Sequence, residues 1–313
     1  MTTERVAVAP TRKRAYGHTA LSLAVLVAAV CLARRHWPVL ESGALRLAVA
    51  DQGWLLFGAA ATGATWLCAA LAQQGAVPRR LPPGRLVAAQ FAASAANHVL
   101  PAGLGAGLVN LRFLMRCGLP AGRAVTAVAV RSTAGGIVRV VLIAVLATAC
   151  PGVLRIPDGW AAGVAVLGAA GCALVLLGGR RWPRCRQALA SVAADIRAVH
   201  ARPHRAAALW GGSLAFALLH ALVLIAVAQA VALPLAPGLV ALLYLGASSA
   251  AALLPTPGGL GSLDAALGLA LAAAGAPAAA AASAVLGYRL LTVWIPLVPG
   301  LLVLGILVRR EAL

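Results

Sequence analysis

The sequence predicts an all-α polytopic membrane protein, with about six spanning helices plus two broken or re-entrant helical hairpins related as an inverted internal repeat. Three observations predict it. First, 62% of the 313 residues are apolar, 11% are charged, and mean hydropathy is +0.93. A soluble domain carries about 25% charged residues, so this composition cannot cover a water-facing surface. Second, several apolar runs reach or approach the roughly 20 residues needed to cross a bilayer. Third, the apolar sequence is interrupted twice by stretches of proline and glycine, at 101–105 and 255–261.

Residues 1–17 form a basic tail with Arg5, Arg12, Lys13 and Arg14, which places it in the cytoplasm. The apolar run 18–33 ends in Arg34-Arg35-His36-Trp37 rather than at a small-residue cleavage site. It therefore reads as a first spanning helix, not a cleavable signal. Residues 34–51 read as a loop carrying both signs of charge. The run 53–72 returns inward and meets the basic turn Pro78-Arg79-Arg80-Leu81-Pro82-Pro83-Gly84-Arg85. An interrupted stretch follows at 86–118, then a spanning run at 125–149, an external turn at 151–158 and a spanning run at 159–177. The segment 179–205 holds seven arginines and is the clearest cytoplasmic marker. Next come a spanning run at 206–231, the second interrupted stretch at 239–275 and a last run to 308. Arg309-Arg310 opens the short cytoplasmic tail 309–313.

Parity then fixes the path. With all the basic segments inside, 86–118 enters and leaves on the cytoplasmic side, and 239–275 enters and leaves on the outer side. The chain divides into two units, 18–150 and 159–308, of opposite orientation. Pro101-Ala102-Gly103-Leu104-Gly105 matches Pro257-Gly258-Gly259-Leu260-Gly261 at four of five positions, and Gly118-Leu119-Pro120 matches Gly275-Ala276-Pro277. An arginine follows eleven residues after Pro120 (Arg131) and twelve after Pro277 (Arg289).

A helix cannot run on through Pro101, Gly103 and Gly105, or through Pro255, Pro257, Gly258, Gly259 and Gly261. Proline lacks an N–H and clashes with the preceding turn, and glycine frees the backbone to reverse. Broken backbone at membrane depth is tolerated only where it is buried in protein or lines a cavity. Inverted repeats with broken helices at the midplane are the architecture of secondary transporters, and the breaks mark the binding site.

Three deep arginines are the candidate substrate-binding groups: Arg131 and Arg139 in one run, Arg289 in its counterpart. A charge at the bilayer centre costs at least ~2.5–3.5 kcal/mol and faces a cavity or a partner. Arg131 and Arg139 are eight residues apart, which puts them about 80° apart on one side of a helix. A planar guanidinium grips phosphate bidentately. The alternative is that these arginines bind carbonyls freed at the breaks, or Asp264, and simply hold the bundle together. Asp264 has three open roles: counter-ion, proton carrier, or contact to a cationic headgroup. Asn97 and His98 before the first break, and Ser248 and Ser249 before the second, either line the cavity or cap broken helix ends. His220 reads as a packed polar residue.

Other chemistry has little support. The six cysteines show no CxxC and no paired spacing, so they read as small hydrophobes. His200 and His204 are four apart, but Pro203 lies between them, and no metal site is expected. No Walker loop, GxSxG, HExxH or carboxylate pair occurs, so neither an enzyme nor a cofactor is expected. The 26 basic residues against seven acidic give a net charge of +19. They suit anionic lipid headgroups; sitting at helix ends with no soluble domain to display them, they do not suit nucleic acid. Part of the arginine bias is also attributable to coding composition.

Pro255-Thr256-Pro257-Gly258-Gly259-Leu260-Gly261-Ser262-Leu263-Asp264, the Gly275 turn, and the Arg289 run with Pro296 and Pro299-Gly300 resemble the lysylphosphatidylglycerol synthase transmembrane-region, or flippase-like, family. That family includes the flippase portion of the bacterial multiple peptide resistance factor. Leu100-Pro101, Gly103, Arg112, Gly118 and Arg131 fit the first half, and the resemblance covers roughly 15–310. The family usually has Glu where this chain has Asp264, which keeps the charge on a shorter arm. Full-length synthases add a cytosolic aminoacyl-transferase domain. This sequence ends at Leu313 without one, so the resemblance implies lipid movement rather than synthesis. The expectation is a multi-pass protein of the bacterial cell membrane, both termini cytoplasmic. It would move an anionic phospholipid or polyprenyl-phosphate-linked lipid between leaflets. The alternative is a non-transporting subunit that presents a lipid to a membrane-associated glycosyl- or aminoacyl-transferase, or anchors that enzyme.

Overall fold

The computed structural model describes residues 37–99, 104–149, 190, 193–194, 196–252, 261–310 and 313. The expected runs 18–33 and 159–177, both tails, the 151–158 turn and most of 179–205 lie outside the described residues. So do the break residues Pro101, Gly103, Pro255, Pro257, Gly258 and Gly259.

Among the described residues all regular structure is helical. In chain order the helices are α1 (Trp37–Ala48), α2 (Gln52–Gly75), α3 (Pro83–Val99), α4 (Leu104–Arg116) and α5 (Ala121–Ala149). Then follow α6 (Pro203–Ala230), α7 (Pro237–Ala252), α8 (Ser262–Ala273), α9 (Ala278–Arg289), a π turn (Leu290–Trp294) and α10 (Ile295–Arg309). Among the described residues, four helical stretches are long and apolar enough to cross a membrane: α2, α5, α6 and the continuous Ala278–Arg309. The chain is a membrane protein.

One expectation fails. Residues 34–51 do not form a loop throughout, because α1 occupies most of them. The mixed charges that suggested a loop sit on its outer side, with Glu41 and Arg46 exposed. Leu47 turns inward onto α9: a Cβ built on Gly287 would lie 3.0 Å from Leu47 Cδ1. The segment is amphipathic rather than uniformly apolar, and a reading keyed to spanning runs passes over such a short helix.

Helices α2 and α6 form the central antiparallel pair. Asp51 caps α2, its carboxylate accepting from Trp54 N–H at 3.0 Å, and its own N–H donates to Ala230 O at the end of α6 at 3.1 Å. At the opposite end the two backbones touch. A Cβ on Gly75 would lie 2.8 Å from Arg205 O, and one on Gly212 would lie 2.7 Å from Ala72 N. Small residues at a crossing are how membrane helices gain contact, since lipid tails are as apolar as leucine and burial alone drives little association.

That end of the bundle is the basic one. The turn after α2 is knitted by Gln74, whose amide donates to Arg79 O and accepts from Leu81 N–H, both at 2.8 Å. Arg79 donates onward to Cys117 O at 2.9 Å, and Arg205 donates to Pro78 O. The start of α3 and the end of α4 therefore share one end, as the parity count requires. Burial pushes the Cys117 thiol up while Arg79 and Arg85 pull it down, burial being the larger effect. The group stays a thiol at neutral pH. Leu307 and Leu313 pack with Val77, Leu81 and Leu86, which brings Arg309 and Arg310 to the same end.

Helices α3 and α4 pack directly on each other: a Cβ on Gly105 would collide with the backbone of Ala96 and Asn97. Helix α10 braces α3 from outside, with Gly300 set against Ala95. Helices α7, α8 and α9 surround α6 in a second apolar cluster built on Val223, Leu224, Leu245, Leu267 and Leu271.

Candidate functional site: a polar cavity at the inner ends of both helix pairs

The inner end of α3 and the facing ends of α7 and α8 border one cavity of about 310 Å³. Asn97 and His98 reach it from before the first break. Ser248 reaches it from before the second break, and Leu263 from just after it. Arg131 and Arg139 line it from α5 and Arg289 from α9, so the three arginines predicted to converge do so.

The arginines differ in their partners. Arg289 is buried and its Nε forms an ion pair with Asp264 Oδ1. The other carboxylate oxygen of Asp264 accepts from Gly261 N–H at 2.9 Å, which caps α8. Gly261 itself has φ +82°, the left-handed region that glycine occupies without a Cβ penalty. Of the three roles open to Asp264, the geometry supports counter-ion: the acid is engaged by an arginine and a helix N-terminus together. Arg131 and Arg139 have no carboxylate partner among the described residues. Two of the three deep positive charges thus have no acid beside them among the described residues at the cavity wall.

The rest of the lining is neutral and hydrogen-bonding. Gln90 donates to Asn110 Oδ1 at 2.6 Å, and Asn110 donates to Ala106 O at 2.8 Å, linking α3 to α4. Tyr288 donates to Tyr244 OH at 3.0 Å, linking α9 to α7. Thr62, Thr65, Ser248 and Thr292 bond carbonyls three or four residues back on their own helices. Such back-bonding satisfies a hydroxyl donor where no water competes and leaves its lone pairs open to the cavity. His220 sits between Phe216 and Tyr244, with ring centroids at 4.5 and 6.4 Å, and its Nδ1 is 3.2 Å from Phe216 O. It is packed, as its sequence context suggests, and it also faces the cavity.

Several cavity residues escape a reading of the sequence: Thr62, Thr65, Gln90, Asn110, Tyr244 and Tyr288. A signal exists for two of them, since Gln90 and Asn110 are the amides inside the arms of the first interrupted stretch, where polar side chains turn away from lipid. Serine, threonine and tyrosine carry no such signal, because they are common in ordinary spanning helices.

A further buried polar residue lies one turn below the cavity wall. Gln73 is 0% exposed, and neither of its amide atoms has a hydrogen-bond partner among the described residues. An unsatisfied buried group costs about 1–3 kcal/mol. Gln73→Leu is therefore expected to raise the thermal stability of detergent-purified protein by an amount in that range, read as an upward shift of the unfolding midpoint.

Comparison with curated proteins gives no match to this sequence. A family model described as the lysylphosphatidylglycerol synthase TM region matches residues 18–300. That match spans α1 to α9 and both interrupted pairs, and the chain belongs to this family.

Proposed function

We propose that this protein moves an anionic phosphate-bearing lipid between the leaflets of a bacterial cell membrane. One observation carries the reading: Arg131 and Arg139, without carboxylate partners among the described residues, face a polar cavity that both interrupted helix pairs border. A charge kept at membrane depth at a cost of ~2.5–3.5 kcal/mol is retained for a ligand, and guanidinium recognises phosphate. The pairs enter from opposite ends, which supports an inverted repeat working by alternating access about a fixed midplane site. The basic end, holding Arg79, Arg205 and Arg309, is the cytoplasmic one by the positive-inside rule, with both termini on that side. An ion gradient or downhill coupling to a partner enzyme gives the movement direction.

Asp264 is engaged by Arg289, so a cationic headgroup would find no unpaired acid among the described lining residues. A net-negative lipid should therefore outcompete a zwitterionic one. In proteoliposomes, the protein is expected to transfer fluorescent phosphatidylglycerol faster than fluorescent phosphatidylcholine. Arg131→Ala with Arg139→Ala should slow transfer at least roughly tenfold, as loss of two charge-assisted hydrogen-bonding groups implies. Transfer by the unmodified protein at the protein-free rate would overturn the proposal. Transfer only after a membrane transferase is added would favour a lipid-presenting subunit.

A further inference from the structure

A second cavity, of about 510 Å³, adjoins the first. The two share Ala69, Arg131, Arg139 and Phe216 as lining. The arginines stand at the seam between them. Beyond the seam the lining becomes small and mostly apolar: Gly135, Gly136 and Val140 of α5 face Ala217 of α6 and Ala252 of α7. Gly136 and Val140 are exposed, as are Ile137, Val141 and Val145 on the same helix. Gly135 is the midpoint of the 29-residue α5, a helix long and apolar enough to span, so the cavity lies near mid-depth of that helix and is flanked on α5 by exposed apolar side chains.

We infer that this groove is a lateral portal that holds a hydrocarbon chain of the transported lipid. The phosphate sits between Arg131 and Arg139, and the headgroup occupies the polar cavity behind them. The inference rests on the proposed function and assigns the groove's occupant. Position and charge argue for it together. A solute bound at mid-depth from the bilayer side has to be a lipid chain, and a chain whose phosphate is held at the seam lies directly along the groove. The two glycines leave its floor open: a Cβ built on Gly135 or Gly136 meets no atom within 4 Å.

That open space makes the portal testable without disturbing the bundle. Gly135→Leu with Gly136→Leu adds good helix formers and fills the groove. With phosphatidylglycerol carrying a mid-chain diazirine, crosslinks should map to α5 around 132–140 in the unmodified protein and disappear in the double variant. Phosphatidylglycerol transfer should fall roughly tenfold or more, as misplacing a bound ligand does. Val141→Leu, on the same helix but outside the groove, should change neither readout, and Ser132→Phe serves as a second plug should the double variant not fold. Plugged variants that transfer at the unmodified rate, or crosslinks falling elsewhere, would overturn the portal alone. Crosslinks at α5 that vanish on plugging, in a protein that transfers nothing, would keep the portal and remove the transport proposal.

Discussion

Gly75→Val and Gly212→Val are each expected to lower the unfolding midpoint of detergent-purified protein by about 2–5 °C. The basis is an overpacking cost of about 1–3 kcal/mol and the usual shift per kcal/mol in chains of this size. Valine is the better helix former, so local propensity alone would predict the opposite sign. Packing decides, because the obstacle at each site is main chain. A Cβ on Gly75 would lie 2.8 Å from both Arg205 O and Leu209 Cα. One on Gly212 would lie 2.7 Å from Ala72 N and 2.9 Å from Cys68 O. Backbone cannot rotate aside as a side chain does, so α2 and α6 would have to separate along their whole crossing. Gly63→Ala, on the same α2 but with nothing within 4 Å of its Cβ, should be neutral or mildly stabilising. A midpoint unchanged in both valine variants would show that α2 and α6 cross with more room than these distances allow.

Arg289→Leu is expected to be the most damaging substitution among the deep arginines. Removing one member of a buried ion pair costs about 3–5 kcal/mol, because the other charge is left stranded. Here the Asp264 side chain is 33% exposed against 6% for Arg289. Partial solvation of the carboxylate reduces the loss to about 2–3 kcal/mol. Asp264 also holds the start of α8, so the stranded carboxylate would remain next to the second break. Combining Arg289→Leu with Asp264→Leu should destabilise by less than the sum of the two single changes, with a coupling of about 1–3 kcal/mol. Strict additivity in that cycle would mean the pair contributes nothing. By contrast Arg131→Ala should leave stability unchanged or raise it, since it removes a charge that has no acid beside it among the described residues. Separating the arginines by stability thus separates the counter-ion's partner from the ligand's.

The spans are legible in the sequence wherever length and hydropathy suffice. The runs 125–149 and 206–231 correspond to α5 and α6, because roughly 20 or more apolar residues admit little other than a spanning helix. Convergence of Arg131, Arg139 and Arg289 is legible too, since a deep charge must face inward. Which of them Asp264 neutralises is not. The choice depends on the close approach of α8 and α9, and both Arg131 and Arg289 are chemically eligible. Helix α1 is too short to span, so a search for spanning runs passes over it. Gly75 and Gly212 are indistinguishable in sequence from Gly63, because a glycine's meaning lies in the backbone opposite it. Tyr244 and Tyr288 form their hydrogen bond from runs 44 residues apart, a distance over which no local pattern speaks.

The π turn at Leu290–Trp294 has a geometric consequence for the helix that contains it. A π turn holds more residues than an α turn, so the downstream segment is rotated by about 100° relative to an unbroken α-helix. Pro296 and Pro299, which cannot donate to the carbonyls behind them, lie just beyond it. Upstream, Arg289 points into the polar cavity; downstream, Gly300 meets Ala95. A regular helix of this sequence would keep one of these alignments and lose the other. The extra residue acts as a phase slip, letting one continuous rod serve as chamber wall over its first half and as buttress to α3 over its second.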